Sequence, residues 1–89
     1  MKRVRVTVSG RVQGVFFRAT CARLAREAGL GGYVRNLPDG RLEAVFEGDD
    51  LAVDAMVDWC GRGPDLALVD SVGAASEDPV GDTTFRVSG

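Results

Sequence analysis

Two polar side chains beside flexible segments are the residues in this sequence best placed to do chemistry. Arg18 follows the glycine-bounded segment 10–14 at the start of a predicted helix, where a guanidinium opposes the helix dipole unless an anion lies between them. Asn36 precedes the turn 37–40 and carries an uncharged amide that can donate to and accept from water. Each also has a plainer structural interpretation. The segment 10–14 can be only a connection between two elements, and an asparagine beside a turn commonly forms hydrogen bonds with the local backbone.

Several kinds of catalytic centre are excluded by composition. There is no histidine, so a Ser-His-Asp triad, a Cys-His pair and an H-E-x-x-H zinc site are all ruled out. The two cysteines, Cys21 and Cys60, cannot supply the four ligands of tetrahedral zinc. Asp49 and Asp50 fit a helix cap better than a metal site. We therefore expect no metal or other cofactor, and we assign Cys21 to the core.

Charge is divided unevenly along the 89 residues. Residues 1–45 carry a net charge of +6 and residues 46–89 carry −8, for a total of −2. An anion site is therefore expected in the first half, where arginine suits bidentate binding of oxyanions. The overall acidity argues against general nucleic-acid binding. Two cysteines, no recognisable secretory leader and no apolar run near 20 residues predict a cytoplasmic protein without a membrane span.

Hydrophobic periodicity predicts the elements that position these residues. In chain order they are a strand over 4–8 that ends before Gly10, a helix over 17–28, strands over 33–37 and 41–47, a helix that ends before Gly61, and strands within 66–75 and 83–87. A tight turn at 38–40 joins the second and third strands. Along the third strand, one face is predicted to hold Leu42, Ala44 and Phe46, and the other Glu43, Val45 and Glu47.

The order strand, helix, strand, strand, helix, strand (βαββαβ) is the split βαβ, or ferredoxin-like, pattern. It predicts an α+β sandwich with a mainly antiparallel sheet and both helices on one face, with or without one short extra strand. We expect a single domain over residues 1–89. In this topology Asn36 can face the segment that precedes Arg18. The fold alone indicates no activity.

Two segments resemble the signatures of the acylphosphatase family. The first is Gly-Arg-Val-Gln-Gly-Val-Phe-Phe-Arg at 10–18, and the second is Gly-Tyr-Val-Arg-Asn-Leu-Pro-Asp-Gly-Arg-Leu-Glu at 32–43. Similar spacing through 62–64 and 85–87 extends the likeness to essentially the whole chain. It departs at Tyr33, where tryptophan is common, and at the C-terminus, which has no terminal aromatic residue.

The resemblance implies metal-free hydrolysis of acyl phosphates to a carboxylate and inorganic phosphate. It assigns Arg18 as the catalytic arginine and Asn36 as the residue that positions water. The family's phosphate cradle of backbone amides maps onto Gln13, Gly14, Val15, Phe16, Phe17 and Arg18. A small acyl phosphate is then the expected partner, with inorganic phosphate as product and inhibitor and with no nucleic acid or membrane. We expect a monomer.

Two other classes of function remain as alternatives. A non-catalytic anion-binding or regulatory module would use Arg18 but would not need a water-orienting amide at Asn36. A nucleic-acid-binding sheet would need exposed aromatic residues and a basic surface, whereas this chain has six aromatic residues and an acidic second half. Hydrolysis also suits the lack of histidine, because a carboxylate leaving group of low pKa needs no general acid.

Overall fold

A computed structural model describes residues 1–88, in which two helices cover one face of a five-stranded sheet; Gly89, the last residue of the predicted domain, lies outside the described residues. The elements are β1 Lys2–Arg11, α1 Phe17–Glu27, β2 Gly31–Asn36, β3 Leu42–Gly48, α2 Asp50–Cys60, β4 Leu68–Glu77 and β5 Phe85–Ser88. The strand order is β4-β1-β3-β2-β5, with β2 and β5 parallel and the other neighbours antiparallel. The predicted α+β ferredoxin-like fold is confirmed.

Both helices form because one face of each is apolar and can be buried against the sheet. α1 packs on β2 and β5, and α2 packs on β1 and β3. α2 begins where the Asp49 carboxylate accepts a hydrogen bond from the Ala52 amide at 3.1 Å, so the predicted helix cap is confirmed. Within residues 1–88, neither helix is long and apolar enough to cross a bilayer.

The first strand is longer than the sequence predicted. β1 continues through Gly10 to Arg11, with a β-bulge between Ser9 and Gly10 in its pairing with β4. Gly10 has a φ of +125°, and a Cβ there would lie 2.2 Å from the carbonyl oxygen of Leu68. The predicted end of this strand before Gly10 is therefore wrong: this glycine allows two strands to approach, and the connection to α1 begins after Arg11.

Both thiols lie in the core between the helices and the sheet. Cys21 and Cys60 are free and fully buried, as expected for small apolar residues on the inner helix faces. A hydrogen bond to Cys60 and burial raise the pKa of Cys21 far above its usual range. The assignment of Cys21 to the core is confirmed, and its thiol is held in the unreactive protonated form.

The sheet face opposite the helices carries buried charges. Glu43 and Glu47 in β3 are 7% and 1% exposed, and Arg3 in β1 is 9% exposed. The register places Arg3 opposite Glu47 on one side and Glu77 on the other, and its guanidinium donates to them at 3.1 and 3.2 Å. The predicted alternation along β3 is confirmed, but the face that holds its glutamates is covered by ion pairs.

Glu47 also holds the connection between β4 and β5. Its carboxylate accepts hydrogen bonds from the backbone amides of Val80, Gly81 and Asp82 at 2.9, 2.8 and 2.9 Å. These bonds, led by the one from Val80, together with the Arg3 guanidinium, hold the pKa of Glu47 below its usual range despite burial. The ionised carboxylate is thus a structural part of the folded state.

Glu47→Gln is expected to lower the Tm at pH 7 by about 10 °C or more, because Arg3 and backbone amides lose a buried charged acceptor. A depressed folded-state pKa contributes stability that is complete above the ordinary glutamate pKa and is lost as pH falls through the lowered value. The Tm difference from wild type should therefore shrink on acidification, when Glu47 itself becomes neutral. Thermal melts between pH 7 and 3 measure it.

Glu27→Gln is the matched control, because Glu27 is exposed on α1 and pairs with Arg23 across one helical turn. Its Tm change should stay below about 2 °C at every pH. A Glu47→Gln difference that did not vary with pH would contradict the assigned role of the ionised carboxylate.

Candidate active site

The connection between β1 and α1 leaves the start of the helix open to a ligand. Gly14 has a φ of +74°, and Phe16, at the N-cap of α1, lies in the left-handed region with φ 65° and ψ 20°. Within residues 1–88, no side chain caps the helix, and its first turn contains no acidic residue. The first-turn amides therefore lack the partners that a capped helix supplies, and this end of α1 can bind an anion.

Arg18 supplies a cation at the same place. It is the second residue of α1, half-buried, and takes part in none of the ion pairs found within residues 1–88. Arg35 and Arg41, which flank the β2–β3 turn, are instead paired with Glu43 at 2.9 Å and Asp39 at 2.7 Å. Arg18 therefore keeps its charge available for a ligand.

Asn36 is the last residue of β2, and its side-chain oxygen is the unusual feature of the site. Oδ1 is buried and has no hydrogen-bond partner in the described part of the chain. The turn that follows is bonded without it, since the Leu37 amide donates to Arg41 at 2.8 Å and the Gly40 amide to Leu37 at 3.2 Å. Buried polar atoms are nearly always hydrogen-bonded, so this oxygen is an acceptor available to a ligand or a water molecule. Its position favours a ligand-facing role over the turn interpretation.

Gln13 explains why the loop and the turn come together. Its side-chain Nε2 donates to the carbonyl oxygens of Leu37 and Arg41, both at 2.9 Å. The β1–α1 loop is thereby tied to the turn that carries Asn36. The family resemblance assigned only a backbone role to Gln13. The signal for its side-chain role was an amide, able to donate twice, within a glycine-bounded segment.

These residues enclose a pocket of about 380 Å³. It is lined by Val12, Gly14, Phe16, Phe17, Arg18, Ala19, Asn36 and Val87. Of the predicted site residues, Gly14, Phe16, Phe17, Arg18 and Asn36 thus meet in one pocket. Gln13 and Val15 are outside its lining, since Gln13 reaches the turn and Val15 packs in the core. The pocket contributions of Val12, Ala19 and Val87 were missed.

Comparison with known proteins shows the family to which this chain belongs. The family model of acylphosphatases matches residues 4–87. The chain belongs to the acylphosphatase family. An acylphosphatase of Methylococcus capsulatus is 65% identical over 69 residues, which cover 78% of this chain and 75% of the relative. An acylphosphatase of Gloeobacter violaceus is 52% identical over 85 residues, covering 96% and 91%.

Solved acylphosphatase structures also share the fold. The acylphosphatase from Bacillus subtilis superposes with a TM-score of 0.93 at 31% identity, over 99% of each chain. The resemblance carried by the two sequence signatures is therefore confirmed, and with it the prediction of an acylphosphatase enzyme acting on a small acyl phosphate.

Proposed function

We propose that this pocket hydrolyses acyl phosphates by attack of a water held by Asn36 on a phosphoryl group held by Arg18 and the loop amides. One observation carries the proposal: the side chain of Asn36, whose buried Oδ1 has no hydrogen-bond partner within residues 1–88, lines the same pocket as Arg18, which makes no ion pair there, and the uncapped start of α1. An anion needs the cation and the amides, whereas a buried acceptor serves a water molecule. A site that only bound anions would have no use for it.

The phosphoryl group is bound by charge and by dipoles. Arg18 donates two N–H groups to two phosphoryl oxygens, and backbone amides from Gln13 to Arg18 donate to the oxygens from the other side. Phosphoryl transfer passes through a loose, in-line transition state, so positioning and charge neutralisation supply most of the acceleration. The folded loop provides both before the substrate arrives, because Gln13 already fixes it to the turn.

The attacking water is oriented by Asn36. Oδ1 accepts one hydrogen of the water, which directs a lone pair of the water oxygen toward phosphorus. A bond forms from that oxygen to phosphorus while the bond from phosphorus to the carboxyl oxygen breaks, and its electron pair leaves with the carboxylate. The proton of the water passes to a phosphoryl oxygen. A carboxylate leaves without protonation, so the absence of histidine is no obstacle.

The proposal also covers the oligomeric state, inhibition by phosphate and the cellular compartment. The proposed mechanism assigns every role to residues of a single chain and therefore requires only a monomer. Inorganic phosphate carries the oxygens that Arg18 binds and should inhibit competitively. Free, buried Cys21 and Cys60 support a reducing compartment such as the cytoplasm.

Benzoyl phosphate hydrolysis should proceed at an unchanged rate in excess EDTA. The proposed chemistry uses the arginine guanidinium and backbone amides where other phosphohydrolases use a metal cation. Residues 1–88 contain no group of three acidic, cysteine or histidine side chains placed to hold a metal. Release of benzoate and phosphate is measured with and without chelator. Complete loss of turnover, restored by Mg²⁺, would overturn the metal-free mechanism; phosphate binding without any turnover would favour the non-catalytic module.

A further inference from the structure

Phe16 has an exposed aromatic ring at the pocket mouth that the hydrolytic steps do not use. The residue is 71% exposed, although its neighbour Phe17 is buried in the core. Its backbone is left-handed, a conformation that asparagine or glycine adopts more easily than a bulky residue. A large apolar side chain is thus present where both solvent exposure and backbone geometry favour a different residue.

Val87 supplies a second accessible apolar group to the same pocket. It lies in β5, is 46% exposed, and lines the pocket together with Phe16. The polar side chains among the lining residues are those of Arg18 and Asn36, and in the proposed mechanism they bind the phosphoryl group and the water. Phe16 and Val87 remain accessible to the part of a substrate that extends beyond its phosphate.

We propose that Phe16 and Val87 form a wall that binds the acyl group and selects acyl phosphates with an apolar, hydrocarbon or aromatic acyl part. This inference rests on the proposed function, since it needs the phosphate at Arg18. An aromatic acyl group buries apolar surface on the wall, whereas a methyl group is too small to cover it. A charged acyl group would lose water there without gaining a partner, because Arg18 is occupied by the phosphate.

The test compares kcat/KM for benzoyl phosphate with that for acetyl phosphate. Phe16→Asn removes the ring and keeps a residue that tolerates the left-handed backbone. The benzoyl-to-acetyl ratio should fall about tenfold, the scale of a lost apolar contact in a specificity pocket. Val87→Thr keeps the shape of the side chain but makes it polar, and the ratio should fall about threefold.

Val80→Thr is the matched control, because Val80 is also an exposed valine, at 71% against 46% for Val87, but lies outside the pocket lining; its ratio should stay at the wild-type value. An unchanged benzoyl-to-acetyl ratio in either pocket variant overturns the acyl-binding wall. This holds even if hydrolysis of both substrates becomes slower by the same factor, since Phe16 would then only shape the loop. Wild-type protein that hydrolyses neither substrate would instead refute the proposed function itself.

Discussion

Arg18→Ala is expected to lower kcat/KM for benzoyl phosphate by about 10³-fold or more, the scale on which an arginine stabilises a phosphoryl-transfer transition state. The guanidinium is the unpaired cation of the pocket, so its removal leaves the phosphoryl charge with the loop amides alone. Because Arg18 contacts the phosphate in both ground and transition states, binding of inorganic phosphate as a competitive inhibitor should weaken as well. Steady-state kinetics with phosphate inhibition measures both effects.

Arg23→Ala is the control for the loss of an arginine from α1. Arg23 is exposed and pairs with Glu27, so the variant should keep wild-type kinetics. Arg18→Lys retains the charge but not the planar fork, and it should recover only a small part of the lost turnover. Full activity in Arg18→Lys would show that a point charge suffices, and near-wild-type activity in folded Arg18→Ala would contradict the assignment.

Asn36→Ala is expected to lower kcat by about 10²-fold or more while leaving phosphate affinity nearly unchanged, because the amide contacts the water and not the phosphate. Its Tm should equal or exceed that of wild type. Oδ1 has no hydrogen-bond partner among residues 1–88, so truncation removes a buried unsatisfied acceptor and breaks no described hydrogen bond at that oxygen. Steady-state kinetics gives kcat, inhibition by phosphate gives the affinity for phosphate, and a thermal melt gives the Tm.

The two interpretations of Asn36 therefore predict opposite results. A residue that served the turn would lose stability on truncation and keep its rate, whereas a water-positioning residue would lose rate and keep stability. If Asn36→Ala lost phosphate binding as severely as Arg18→Ala, the amide would be a ligand of the anion, and the division of roles between the two residues would be wrong.

Most elements of this fold could be predicted because their signals are local. The Asp49 cap and the position of Gly61 bound α2 in sequence as they do in the structure. The end of β1 was predicted wrongly because it depends on β4, a strand almost sixty residues later, whose Leu68 carbonyl approaches Gly10. The burial of Glu47 depends likewise on the register that sets Arg3 opposite it.

The site shows the same division between local and non-local information. Arg18 and Asn36, which the structure places in one pocket, were singled out from residue type, turn context and two linear motifs. The double hydrogen bond of Gln13 and the place of Val87 were not, because both depend on contacts between segments far apart in the chain. The doublet Phe16-Phe17 did hold a signal: helical spacing buries one ring and leaves the other outside.

Hydrolysis of benzoyl phosphate in water enriched with ¹⁸O tests the central claim most directly, with the products separated and their isotope content measured by mass spectrometry. If Asn36 directs water to a phosphorus atom held by Arg18, the label incorporated during turnover appears in inorganic phosphate, and benzoate stays unlabelled. Label in benzoate would show attack at the carbonyl carbon, which would contradict the roles proposed for both residues.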